Sequence, residues 1–304
     1  MANNKPRVVD LFSGCGGMTL GFEQAGFDVV AAFDNWKPAV EVYKANFKHP
    51  ITQIDLNEDE AQELINEEKP DVIVGGPPCQ DFSIAGGRDF SGKRANLTLR
   101  FAEIVINAKP NFFVMENVYN IQGTPVLSKV LDQFSKAGYG LTHGIFDASL
   151  MNVPQRRKRY FVIGELGGES DGLRTLIEKS LAKKSLTVRE YLGDKLKTDF
   201  YYMHPRSYAR RAVFSIDEPS STIRGVNRPI PQTYKFHNAD AAKSMDKVRA
   251  LSSTERGLLQ TFPEDFIFLG PKTSVEQMIG NAVPVNMANF IAQRIMEKIR
   301  GKSN

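Results

Sequence analysis

Val8-Val9-Asp10-Leu11-Phe12-Ser13-Gly14-Cys15-Gly16-Gly17 is the stretch on which the fold turns. Its first half is a near-continuous apolar run, as expected of a strand buried on both faces. Its second half is a glycine-rich turn, which lets a ligand approach the backbone closely before a helix begins. The same rhythm continues outward from it. Strands are predicted over 7–12, 28–33, 51–54, 71–74, 111–115 and 159–164, with helices near 18–25, 37–47, 58–68, 97–108 and 125–137. Alternation of this kind predicts an α/β fold, a mostly parallel sheet with helices on both faces. The dinucleotide fingerprint G-x-G-x-x-G is broken, because Thr19 stands where its third glycine belongs. Asp34 ends the second strand and Asp55 follows the third, so all three sites fall on one carboxyl edge of the sheet. An acid at Asp34 suits ribose hydroxyls, and the missing phosphate signature favours an adenosine ligand without a pyrophosphate.

The chain of 304 residues is 41% hydrophobic and 24% charged, which is a globular composition. No apolar run approaches the ~18 residues of a membrane span, and the first residues lack the pattern of a signal peptide. A cytoplasmic protein with no membrane association is expected. Two cysteines, Cys15 and Cys79, exclude a disulfide scaffold and a cysteine-rich zinc module, and no metal site is expected. The net charge of +4 is unevenly spread: residues 187–250 hold 12 Lys/Arg against 7 Asp/Glu. That is an electrostatic footprint for a polyanion, or a solvated face. The strand–helix rhythm stops near residue 166. An irregular segment rich in Arg, Tyr, Ser and Pro follows, and then an apolar stripe of Val285, Ala288, Ile291, Ile295 and Ile299 at helical spacing. The division expected is a catalytic and cofactor-binding domain over 1–169, a small irregular, β-rich domain over 170–248, and a return segment over 249–304 whose last helix packs on the first domain.

Four further motifs carry chemistry. Gly75-Gly76-Pro77-Pro78-Cys79-Gln80 follows a buried strand, and its prolines stiffen the approach to a thiol at the sheet edge. The polar, glycine-bearing stretch after it has the length of an active-site lid. A nucleophile is favoured for Cys79 over an inert buried thiol, whereas Cys15 reads as structural or cofactor-lining. Val114-Met115-Glu116-Asn117-Val118 ends an apolar strand in a carboxylate. Partial desolvation there would raise its pKa and provide a general acid, unless it is a cap or an ion pair. In Gln155-Arg156-Arg157-Lys158-Arg159, strand alternation would aim Arg157 and Arg159 the same way, toward the thiol. Gln277-Met278-Ile279-Gly280-Asn281-Ala282-Val283-Pro284 precedes the last helix.

These motifs in this order resemble the C5-cytosine DNA methyltransferases of prokaryotic restriction–modification systems. The likeness extends over nearly the whole chain outside 170–245, including Arg249-Ala-Leu-Ser-Ser-Thr-Glu-Arg-Gly-Leu-Leu-Gln-Thr-Phe-Pro after the variable region. The resemblance implies the S-adenosylmethionine-dependent methyltransferase fold and S-adenosylmethionine as the cofactor. It implies Cys79 as the nucleophile, with Glu116, Arg157 and Arg159 as the other catalytic residues. It implies a cofactor pocket of Phe12, Gly14, Cys15, Gly17, Asp34, Asn35, Asp55, Leu56, Pro78 and Leu99, closed by Asn281 and Val283. Asn35, followed by Trp36, departs from the large apolar residue common after the ribose-binding acid, and Asp34 stands where Glu is commoner. Duplex DNA is the implied partner, touched by Gln80, Ser83, Arg206, Arg210, Thr222, Arg224 and Arg228, with the target base flipped out of the helix. A monomer is expected, with a cognate endonuclease acting on the same site. Competing readings are an RNA (tRNA) cytosine-5 methyltransferase, against which the basic segment argues, and a silent DNA-binding protein, against which the intact Cys79, Glu116 and Arg159 argue. A nicotinamide dehydrogenase is disfavoured by the missing glycine.

Overall fold

The computed structural model describes residues 5–78, 95–207 and 209–302. The elements run β1 (Arg7–Leu11), α1 (Gly17–Gln24), β2 (Asp28–Asp34), α2 (Lys37–Asn46), β3 (Ile51–Gln53), α3 (Asp59–Glu67), β4 (Val72–Gly75), α4 (Ala95–Ala108) and β5 (Phe112–Val118). Then come α5 (Pro125–Lys136), β6 (Tyr139–Asp147), β7 (Gln155–Arg156), β8 (Lys158–Leu166), α6 (Arg174–Ser180), α7 (Val188–Leu192), β9 (Phe200–Tyr202), β10 (Val213–Ser215) and β11 (Ser220–Ser221). The chain ends with β12 (Val248–Ala250), α8 (Ser253–Leu259), α9 (Lys272–Asn281) and α10 (Val285–Lys302).

Seven strands form one sheet in the order β3-β2-β1-β4-β5-β8-β6. The pairs β1–β2, β1–β4, β2–β3 and β4–β5 are parallel, and β5–β8 is antiparallel. Strand order reverses between β1 and β4, so the loops leaving these two strands open a crevice at the carboxyl edge. The central strands are buried because Val9, Leu11, Phe33, Ile73, Phe113 and Met115 pack with Phe101 of α4 and Phe134 of α5. Among the strands of this sheet, β6 is the one that the sequence hid. Its residues Tyr-Gly-Leu-Thr-His-Gly-Ile-Phe-Asp break the apolar run with two glycines. Gly140 is required there, since a Cβ would overlap the backbone of Gly168.

The chain divides into two compact units. The first holds 1–146, 158–181 and 288–304, and the second 147–157 and 182–287. This differs from the division expected at 169/170 and 248/249. Residues 249–287 share a core with the variable segment, where Tyr201, Ile216 and Ile223 meet Leu251, Leu259, Val275 and Ile279. Residues 147–157 join that unit through β7, which pairs with β11. β9 lies between β10 and β12 in a three-stranded sheet. From Ala288 on, α10 belongs to the first unit, and Asn289 Nδ2 donates to the Gly21 carbonyl at 3.1 Å. No helix among the described residues is long and apolar enough to cross a membrane.

Candidate active site

The glycine turn between β1 and α1 is left-handed at Phe12 (φ 55°), Gly14 (φ 55°) and Gly16 (φ 92°). It is held from beneath: Ser13 N–H donates to the Phe33 carbonyl at 3.2 Å and Gly16 N–H to the Ser13 carbonyl at 2.9 Å. Asp34 Oδ2 accepts from Gly14 N–H at 2.7 Å, and its Oδ1 accepts from Trp36 N–H at 2.8 Å. Burial pushes the Asp34 carboxyl upward against those two bonds. Open space lies where a Cβ of Gly14 would stand, and the buried Ser13 Oγ has no hydrogen-bond partner among the described residues. An adenosine-type ligand with ribose hydroxyls over Asp34 fits such a turn. Asn35 is exposed and Trp36, the single tryptophan, is half-buried at the start of α2. Phe33, next to Asp34, is buried in the core, and Trp36 is the first aromatic residue after Asp34.

The other pocket residues sort by burial. Cys15 and Gly17 are buried beneath the turn, and burial pushes the Cys15 thiol up to about 12. That holds Cys15 as a neutral, structural thiol. Asp55 is half-buried and accepts from Asn57 N–H at 3.0 Å. Leu56 is 2% exposed and belongs to the core, and Leu99 packs against that core. The loop after β3 is fixed by Arg100, whose Nε donates to the Leu56 carbonyl at 2.8 Å, a contact that no motif marks. Asn281 is exposed at the end of α9 and Val283 is buried, both in the second unit.

Cys79, Gln80 and Ser83 lie outside the described residues. What leads to the thiol is fixed tightly. Pro77 is buried, and its carbonyl accepts from Asn117 Nδ2 at 3.1 Å. Asn117 itself is 2% exposed at the end of β5. Beside it Glu116 is 7% exposed, and its Oε1 lies 2.9 Å from Arg159 Nε. A Cβ on Gly76 would stand 3.2 Å from Glu116 Oε2, so the glycine leaves the carboxylate room against the turn that carries the thiol. The ion pair offsets the desolvation that burial imposes on Glu116. Val118 pairs with Arg159 and Glu116 with Phe161 across antiparallel β5–β8, which brings the two side chains together.

Arg157 is not beside Arg159. Its Nη1 donates to the Ile223 carbonyl and its Nη2 to the carbonyls of Gly280 and Ala282, each at 2.9 Å, and its side chain is fully buried. The expected alternation fails because β7 ends at Arg156 and β8 begins at Lys158, so the chain changes sheets at this residue. Gln155 completes the fastening, accepting from Ile223 N–H at 2.9 Å and donating to Gln260 Oε1 at 2.8 Å. These bonds fasten Arg157 to the backbone of residues 223, 280 and 282.

Of the residues expected on DNA, Arg206, Arg210 and Arg228 are exposed. Thr222 and Arg224 are committed inward. The Thr222 hydroxyl donates to the Arg156 carbonyl at 2.8 Å, and Arg224 Nη2 donates to the His204 carbonyl. Arg256, in a buried pair with Glu276, holds the Arg224 carbonyl. Glu276 in turn accepts from Asn227 Nδ2 at 2.8 Å and Ser253 Oγ at 2.7 Å. Residues 222–227 are thus a braced turn that presents Arg228.

A mostly parallel sheet with a glycine turn and ribose-suited acid at the carboxyl edge is the architecture of the S-adenosylmethionine-dependent methyltransferases. Within that class the profile of the C-5 cytosine-specific DNA methylases matches residues 6–297, and the chain belongs to that family. It is 56% identical over 292 residues to the Type II methyltransferase M.HindV of Haemophilus influenzae, covering 95% of this chain and 96% of that one. It is 54% identical over 287 residues to the Type II methyltransferase M.HgiDI of Herpetosiphon aurantiacus, with 94% and 93% covered. The solved structure of the S. pombe Dnmt2 methyltransferase shares the fold with a TM-score of 0.71 at 17% identity, covering 97% of this chain and 99% of that one.

Proposed function

We propose that the protein methylates C5 of one cytosine in a short duplex DNA sequence and serves as the modification enzyme of a Type II restriction–modification system. The names of the relatives from H. influenzae and H. aurantiacus support the second part. The observation that carries the chemistry is the buried Glu116–Arg159 pair set against the Pro77-Pro78 approach to Cys79.

Cytosine C5 is a poor nucleophile. Addition of the Cys79 thiolate to C6 makes C5 carbanion-like, which splits one hard step into two. Glu116 hydrogen-bonds or protonates N3 so that charge does not accumulate on the ring, and Arg159 orients Glu116 and stabilises the developing charge. Phe12, Gly14 and Asp34 would hold S-adenosylmethionine, Asp34 suiting its ribose hydroxyls; the donor would supply a methyl group on a sulfonium and leave as the thioether. Once C5 carries the methyl group, a base takes the C5 proton, the freed electron pair re-forms the C5=C6 bond, and the C6–S bond breaks to return the Cys79 thiolate. Because C5 is out of reach inside a duplex, the cytosine is flipped out, at a cost of a few kcal/mol that phosphate and groove contacts offset. Arg206, Arg210 and Arg228 supply contacts of that kind.

Bisulfite sequencing of DNA from a bacterial host without its own cytosine methylation, expressing this chain, tests the proposal. Protected cytosines in one repeated context are expected, and Cys79→Ala should abolish them. Complete conversion with soluble wild-type protein would overturn the DNA assignment and direct the search to tRNA.

A further inference from the structure

Beneath the glycine turn runs a chain of polar side chains that the methylation chemistry does not use. Asp10 Oδ2, in β1, lies 2.6 Å from Thr19 Oγ1 and 3.1 Å from Thr19 N on α1. Thr19 Oγ1 lies 2.8 Å from the Tyr43 hydroxyl on α2, which lies 2.6 Å from His49 Nε2. His49 Nδ1 is 3.3 Å from Glu23 Oε1, back on α1. Asp10, Thr19 and Tyr43 are buried, and the His49 side chain is 11% exposed. The links share one polarity. With Asp10 ionised, Thr19 donates to it and must accept from Tyr43, which must then accept from His49 Nε2–H. With Asp10 protonated and donating to Thr19 Oγ1, the hydroxyl links reverse and Tyr43 donates to His49 Nε2, while Thr19 N–H still donates to Asp10. Each hydroxyl gives one hydrogen bond and takes one, so removing a link strands the next polar group in the interior. Burial together with the nearby Asp10 carboxyl keeps the Tyr43 phenol neutral and able to donate.

The same residues touch the turn itself. A Cβ on Gly16 would overlap the Phe47 ring and stand 3.2 Å from Tyr43 Cδ2, so the left-handed Gly16 lies flat on the Tyr43–Phe47 pair. α1 and α2 are thereby locked on either side of residues 12–17.

We propose that Tyr43 and His49 are positioning residues for the methyl donor: through Thr19 and Asp10 they hold the glycine turn in the left-handed shape that receives it. This rests on the reading of that turn as the seat of the donor.

Trp36 is the only tryptophan, and its backbone N–H is bonded to Asp34, so its fluorescence can follow S-adenosylmethionine binding to the whole protein. Tyr43→Phe and His49→Ala should each raise the donor Kd about tenfold, the effect of one lost buried hydrogen bond. Turnover at saturating donor should stay within about twofold of wild type. His49→Gln, whose amide can give or take the bond to Tyr43, should restore the Kd. Unchanged donor Kd in Tyr43→Phe and His49→Ala would overturn the proposal, as would a loss confined to kcat, or His49→Gln binding as poorly as His49→Ala. Should Tyr43→Phe fail to fold, the His49 pair decides. Failure of the wild-type protein to bind the donor would instead overturn the reading of the turn.

Discussion

Asp10 shows how a single buried carboxyl couples the fold to pH. It faces Thr19 and Tyr43, with Asp34 near enough to add repulsion, and burial first and Asp34 second push its carboxyl up to about 7 from 3.8. A raised value means that the folded state prefers the protonated form. The contribution to stability is therefore fully present below about pH 4 and is lost as pH rises toward 7, by an amount on the order of a few kcal/mol. Asp10→Asn removes that titration. Denaturation of both proteins between pH 4.5 and 8.5 should show wild type losing stability relative to the variant up to about pH 7, and a constant difference above it. Parallel curves would mean that Asp10 is ionised throughout. Arg157 makes a complementary case with no titration. Lysine is a point charge and cannot fork onto three carbonyls, so Arg157→Lys should cost about 3 kcal/mol in chemical denaturation by leaving buried acceptors unpaired. A loss under ~0.5 kcal/mol would mean that water replaces the guanidinium.

At the scale of elements, the legible parts were those with local signatures. β1, β2, β4 and β5 were readable because each is a near-continuous apolar run leading into chemistry, at Phe12, Asp34, Gly75 and Glu116. Glu116 stood out for the same reason and Arg159 from the basic run that leads into β8, and the two side chains meet through the register of β5 and β8. What stayed hidden depends on partners far along the chain. Arg157 looks like one more cation in a basic run until Ile223, Gly280 and Ala282 supply its carbonyls. The Tyr43–His49 links carry no motif spacing at all. Gly280 belongs to the same hidden group. A Cβ there would overlap the backbone of Arg224 and Gly225, where the braced turn crosses α9. Backbone cannot swing aside as a side chain can, so Gly280→Ala should cost at least ~3 kcal/mol or abolish soluble expression. Gly26→Ala provides the contrast. Gly26 has φ 94° and open space around it, so only backbone strain is added, about 1 kcal/mol. Equal losses in thermal and chemical unfolding would refute the steric argument.

For the whole molecule, the proposed function would give the second unit the task of reading the DNA sequence. Within that unit, residues 147–157 and 246–287 frame the segment between them, which is tied to the frame at a few places. Ser220 and Ser221 pair with Gln155 and Arg156. Ile223 is gripped by Gln155 and Arg157, and β9 lies against β12 through backbone bonds that tolerate sequence change. Between these ties run 203–219 and 226–243, which carry Arg206, Arg210, Arg228, Tyr234 and Lys235. Exchanging those two stretches for a relative's, with Ser220–Gly225 retained, should leave a soluble enzyme that methylates the relative's sequence, read out by bisulfite sequencing. Exchanging the same stretches together with Thr222 and Ile223 for unrelated polar residues should destabilise the unit, because the Thr222 hydroxyl bond to the Arg156 carbonyl and the buried Ile223 side chain would be lost, while the backbone bonds of residue 223 to Gln155 and Arg157 remain. A soluble chimera of the first kind that still marks the original site would place recognition outside 203–219 and 226–243. A stable chimera of the second kind would show that the Thr222 hydroxyl and the Ile223 side chain are dispensable, and that the backbone ties at β11, residue 223 and β9 hold the segment.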